Sequence, residues 1–143
     1  MSYKILLPVD GSEGSLRAAH YIAGLASLMP AVEVIILNVQ PEADNWMVRR
    51  SIKPDELAKM EQDWSEEAMI PERDVLQAAG VSCQMRMERG EIAPTVARLA
   101  QELSCQQIIM AVSSCKSTLA DWLLGSVATK VLHLASVPVT FIK

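Results

Sequence analysis

The stretch "YKILLPVDGSEGSLRAAHYIAGLASLMPAVEVIILNVQP", Tyr3 to Pro41, decides the architecture of the chain. Its first block, Tyr3 to Asp10, is short and aliphatic and ends in Asp-Gly-Ser, the pattern of a buried strand meeting a loop. Ser12 can cap a helix, and Leu16, Ala19, Ile22, Ala23, Ala26 and Met29 then keep the spacing of one helix face until Pro30 stops it. Val32 to Pro41 is rich in β-branched residues and nearly all apolar, as expected of a strand covered on both faces. Two buried strands joined through a helix form a parallel βαβ unit with a right-handed crossover.

Outward from that unit the alternation continues. In the Glu42 to Gly80 arm, Pro54 suits a first helical turn, and Asp55 and Glu56 favour its positive end. Leu57, Met60, Trp64 and Ala68 form an apolar stripe, Pro71 is expected to kink or break the helix, and Gly80 is expected to cap it. Val81, Cys83, Met85 and Met87 alternate with Ser82, Gln84, Arg86 and Glu88, which predicts a half-exposed strand at a sheet edge.

The next helix carries Pro94 in its first turn and Val96, Leu99, Ala100 and Leu103 on one face, and Gln106 to Val112 reads as another buried strand. Last come a helix with Ser126 as cap and Val127, Val131 and Leu134 inward, and a strand "VPVTFIK" whose Pro138 argues for an edge. The order predicts one domain over residues 1–143: a doubly wound α/β fold, its parallel five-stranded sheet covered by helices on both faces. With the strands ordered 3-2-1-4-5, the ligand crevice lies beyond the carboxyl ends of strands one and four and brings Asp10 to the loop that starts at Val112.

Composition narrows the function. Half of the residues are hydrophobic and 21% are charged, which excludes a disordered chain. A formal charge of -4 without any Lys/Arg run gives no footprint for nucleic acid or an anionic membrane. The apolar run at the N-terminus is too short to span a bilayer and is not followed by a cleavage signal, so a cytoplasmic location is expected. Cys83, Cys105 and Cys115 are an odd set at wide spacings, which argues against structural disulfides and zinc. His20 and His133 sit inside helical patterns and read as ordinary helix residues.

In the crevice, Asp10 can accept hydrogen bonds from a ligand hydroxyl or amine, or serve as a turn residue before Gly11. Gly125-Ser126 offers backbone N–H groups, a hydroxyl and a helix dipole to a phosphate, or is an ordinary helix start. There is no G-x-x-x-x-G-K-[ST], no G-x-G-x-x-G after the first strand and no G-x-S-x-G elbow, so no catalytic machinery is visible.

Four segments, "KILLPVDGSEGSLRAAHYIAGLA", "VIILNVQP", "RGEIAPTVARLAQE" and "LLGSVATKVLHLASVPVTFI", together resemble the universal stress protein family over nearly the whole chain, the Glu42 to Gly80 arm excepted. The resemblance implies the same five-stranded α/β fold, and ATP or AMP as the ligand. It implies adenine contacts near Asp10 and Val39, with Pro8 and Val9 beside them, and phosphate and ribose contacts along a G-x2-G-x9-G-[ST] loop. Placing Gly125 and Ser126 on the third glycine and its successor puts Cys115 on the second and Val112 on the first. Ala111 and Val127 flank that loop, and both of its early glycines are replaced.

A Val held at positive φ would be strained by about 1–3 kcal/mol. Ser113, Ser114, Lys116 and Ser117 supply hydroxyls and a cation in return, or form a solvated loop. The resemblance also implies a homodimer through the last strand, with Val137, Val139 and Phe141 on one face. Three readings follow: a non-catalytic stress protein that acts through dimer and partner surfaces with a degenerate nucleotide site, a weak ATP or AMP binder, or a thiol sensor at Cys115 beside Lys116. Trp46 and Trp122 are each either a lid or partner contact or a packed loop aromatic.

Overall fold

A computed structural model describes residues 2–42, 50–112 and 125–143. Among them the strands are β1 (Tyr3–Pro8), β2 (Val32–Gln40), β3 (Ser82–Arg89), β4 (Gln107–Ala111) and β5 (Val139–Ile142). The helices are α1 (Glu13–Ala26), α2 (Pro54–Ala78), α3 (Ile92–Glu102) and α4 (Ser126–Leu134). All strand pairs are parallel and the order is β3-β2-β1-β4-β5, as the alternation predicts. β1 lies in the centre, with Ile5, Leu6 and Leu7 fully buried, and β3 and β5 are the edges.

Strand pleating divides the core in two. Ile5, Leu7, Val34 and Ile36 point to the side of α1 and α2, where Ala18, Ala19, Ile22, Met69 and Leu76 close the layer. Leu6, Ile35, Leu37 and Ile108 point to the other side and meet Val96, Leu99 and Ala100 of α3 and Val131 of α4. Each such fully buried aliphatic side chain contributes roughly 1.5–3 kcal/mol by leaving water. On β3 the alternating pattern predicted from its sequence appears as half-buried Cys83 and Met85 between exposed Gln84 and Arg86.

Ser12 caps α1 by accepting from the Ser15 N–H. At the far end of α2, Gly80 has φ +74, its N–H donates to the Gln77 carbonyl and the Val81 N–H to the Leu76 carbonyl, so the glycine closes the helix in a left-handed turn.

Four expectations are corrected. α2 does not break at Pro71; it runs through it for 25 residues, because Pro71 lies on the exposed side where solvent can take the orphaned carbonyl. The face that α2 buries is Glu61, Ser65, Met69, Glu72 and Leu76, which turns Met60 and Trp64 outward, Trp64 being 51% exposed. In α4 the cap is Gly125, not Ser126: the glycine takes the extended backbone and Ser126 is already helical. Leu134, in the last turn of that helix, is 52% exposed, and Ala128 and Val131 form the inward face instead.

Candidate functional site

α2 explains its own odd burial pattern through its length. A helix of 25 residues spans about 37 Å, nearly twice the reach of the six-residue β1 at about 20 Å. Ala68 stands against the Gly11 turn, 3.6 Å from where a Cβ on that glycine would lie, so the half of α2 before it overhangs the carboxyl ends of the strands. Those ends form the mouth of the molecule.

A cavity of about 330 Å³ opens there between β1, β2 and β4 and the starts of α3 and α4. Pro8, Val9, Asp10, Val39, Ala111, Val112, Gly125, Ser126 and Val127 all line it. Cys115, Ser113, Ser114, Lys116, Ser117, Trp46 and Trp122, also singled out from sequence, lie outside the described residues.

Asp10 is held as a turn residue and still faces the cavity. Its Oδ1 accepts the Ser12 N–H at 2.9 Å and the Ser15 hydroxyl at 2.9 Å, and its own N–H donates to the Ser15 Oγ at 3.2 Å. The two bonds that the carboxylate accepts both end on Oδ1, and Oδ2 takes neither of them. Partial burial acts to raise the pKa of Asp10, but the hydrogen bonds from Ser12 and Ser15 outweigh it and hold the carboxyl below its ordinary value. It is therefore an anion at any physiological pH, suited to accept from an amine or hydroxyl.

Opposite, α4 begins at Gly125, and among the described residues no side chain caps its first-turn N–H groups. A Cβ at Gly125 would meet no atom of the described residues within 4 Å, so among them the glycine leaves open space beside those donors. Free N–H groups, the helix dipole and an open approach make a site for a small anion. Val112 is not strained: its φ is not positive, and its N–H continues the β4–β5 ladder to the Ile142 carbonyl at 2.9 Å. The residue follows directly on β4, and its backbone escapes the strain that a positive φ would bring.

Sequence reasoning missed several lining residues. Ile92 and Met110 supply apolar walls from α3 and β4, and Ser15 reaches in from α1. Asn38 is 5% exposed; its Nδ2 donates to the Val9 carbonyl at 2.9 Å and its Oδ1 accepts from Gln40 at 2.6 Å, so it ties the tips of β1 and β2 together. The signal was available, since Asn38 interrupts an otherwise apolar buried strand and such a group must find a partner. Among the described residues no group of three or more metal-binding side chains gathers, and no helix is long and apolar enough to cross a membrane. Burial pushes the thiols of Cys83 and Cys105 up, which keeps both in the unreactive protonated form.

Comparison with known proteins agrees with this architecture. The chain is 26% identical over 147 residues to universal stress protein MJ0531 of Methanocaldococcus jannaschii, covering 98% of this chain and 81% of that one. The solved structure of hypothetical protein MJ0577 superposes with a TM-score of 0.80 at 26% identity, covering 100% of this chain and 96% of the other. The universal stress protein from Archaeoglobus fulgidus, solved in complex with dAMP, has the same fold at a TM-score of 0.67 and 19% identity, covering 100% and 98%. The model of the universal stress protein family matches residues 1–143 from end to end, and the chain belongs to that family.

Proposed function

We propose that this protein holds an adenine nucleotide, of the size of AMP, in the crevice between β1 and β4, and that it does so without turning it over. The observation that carries the reading is the shared cavity: an ionised Asp10 and the Val39 strand end on one side, and the start of α4 at Gly125 on the other. A base fits the apolar wall of Ile92, Met110 and Val39, its amine or the ribose hydroxyls facing Asp10, and a phosphate fits the first-turn N–H groups of α4. A cavity of about 330 Å³ is at the small end of ligand sites, which favours a monophosphate over ATP. The dAMP bound by the Archaeoglobus relative supports the ligand class.

The described part of the same lining supports the reading that the site binds without turnover. Asp10 is the one titratable side chain among the described lining residues, and hydrolysis needs at least a positioned base and a stabiliser of developing charge. The site serves as a sensor or reservoir rather than an active centre, and partner contacts carry the response. Calorimetric titration with AMP tests this: micromolar binding is expected, and Asp10→Ala should weaken it by about tenfold to a hundredfold, the worth of a hydrogen bond to a charged group. No heat and no thermal shift at millimolar AMP would end the proposal.

A homodimer through β5 belongs to the same reading. β5 is an edge strand whose outer backbone groups have no strand beside them in the monomer, a situation that natural chains seldom leave uncovered. Val137, Val139 and Phe141 pack half-buried against the α3 and α4 layer, so the pairing would rest on backbone hydrogen bonds along the strand, with these side chains bracing it from beneath.

A further inference from the structure

Glu72 has no place in the site just described, yet it is the most deeply buried acid among the described residues, 1% exposed. It lies on α2 between Met69 and Leu76, on the face that packs against α1 and the sheet. One helical turn before it, Ala68 stands against the Gly11 turn, so Glu72 occupies the next position down the same face, behind Asp10. Its Oε2 is fully buried and has no hydrogen-bond partner. A carboxylate in that position would carry an unbalanced charge into an apolar layer, which costs far more than keeping the proton.

The surrounding side chains among the described residues offer no balancing charge. α1 presents Ser15, Ala18, Ala19 and Ile22, none of them charged, and the small side chains are what leaves room for a glutamate. The charge that reaches it from the end of β1 is Asp10, another anion. Tyr3 and Cys83 pack against the same core cluster, and Arg73, next along α2, pairs with Asp74 at 3.1 Å. Ser15 is on the buried face of α1, 2% exposed, and its hydroxyl donates to Asp10.

We propose that Glu72 is a positioning acid for the crevice: it enters the folded protein with its proton on, and losing that proton weakens the hold of the Asp10 turn on its ligand. The physical link is charge and packing. An ionised Glu72 places a second anion behind Asp10 and must draw in water or move α2 away from the Gly11 turn to be solvated; either change disturbs the Ser12 and Ser15 bonds that aim Asp10. Protonated Glu72 does neither. Burial raises its pKa, its own backbone N–H opposes that, and the Asp10 charge adds to the rise, so the net direction is upward, in agreement with this arrangement. Ligand affinity and proton uptake are therefore linked, and the linkage is reciprocal.

The inference rests on the nucleotide reading of the crevice for its second half only, and the experiment separates the two. The first arm needs no ligand. A group whose folded pKa is raised stabilises the fold fully below its unfolded value, near 4.5, and that stabilisation is lost as pH rises through the folded value. Thermal melts of the full chain and of Glu72→Gln, which keeps the shape of the protonated acid, are compared from pH 4.5 to pH 8. The wild-type melting temperature should fall with pH relative to the variant; parallel curves would overturn the proposal. An infrared band of a protonated buried carboxylic acid at neutral pH, lost in Glu72→Gln, gives the same answer if the variant folds poorly, and its absence from the wild type would also refute the idea.

The second arm is AMP titration of both proteins at pH 6 and pH 8. The ratio of their affinities cancels the titration of AMP itself. The wild type should lose about fivefold more affinity than Glu72→Gln across that range, the low end of coupling between linked sites. A constant ratio alongside diverging melts would remove the positioning role and leave a buried acid only. Diverging melts with no AMP bound by either protein would refute the nucleotide reading and, with it, the ligand half of this proposal.

Discussion

At the scale of single residues, the site is built from small economies of geometry. Asp10 fixes its own turn through one oxygen, and the other accepts neither the Ser12 N–H nor the Ser15 hydroxyl. Gly125 is not required by its backbone, which any residue could adopt, nor by a close neighbour among the described residues; what it provides is space beside the first-turn N–H groups. Gly125→Val should therefore cost about 1 kcal/mol or less in stability, as a poorer helix cap, while lowering AMP affinity by about tenfold or more. Denaturant melts and titration together check this, and an equal loss in both would mean that the glycine is structural. Asp10 was legible from sequence because a polar residue ends an aliphatic strand. The strain weighed for Val112 is conditional on a positive φ, which alignment to a glycine loop cannot reveal; here φ is not positive and the N–H bonds to the Ile142 carbonyl just past β4. Glu72 was invisible: a glutamate in a helix is normally solvated, and only the packing of α2 on α1 reveals that this one is not.

At the scale of elements, strands were easy to read and the long helix was not. Buried parallel strands announce themselves as short aliphatic runs, and all five appear within a residue or two of their expected places. α2 misled because its most apolar stripe, Met60 and Trp64, is the outward one, while the buried face carries Glu61, Ser65 and Glu72. Glu61 meets Arg89 from the tip of β3 at 2.6 Å, so the overhanging half of the helix is fastened by an ion pair where the sheet has ended. Periodicity finds an apolar face; it does not reveal that a helix outruns its sheet. Pro71 gives a direct test of the continuous helix. Pro71→Ala restores an N–H to the helix interior and should raise stability by about 1–3 kcal/mol, seen as a higher melting temperature. A drop would mean that the backbone at Pro71 is set for proline and that the helix is not regular there.

At the scale of the whole molecule, the fold places function where its topology requires. The strand order turns at β1 and β4, and the crevice opens at their carboxyl ends, lined from both faces of the sheet. The edges are treated differently. β3 is lined by Arg86 and Glu88, paired at 2.9 Å, which discourages further strands, whereas β5 ends in Val139–Ile142 without a charged residue. Light scattering at micromolar concentration should return the mass of a dimer, and Val139→Pro, which removes an N–H from the outward side of β5 and leaves the Pro138 and Ile142 carbonyls bonded to β4, should shift it toward monomer. A monomeric wild type would separate this chain from the assembly proposed for it. The most direct test of the central claim is a crystal structure grown with millimolar AMP. The account predicts the nucleotide between β1 and β4, its base against Val39 and Asp10 and its phosphate on the N–H groups after Gly125; an empty crevice, or AMP bound elsewhere, would contradict it.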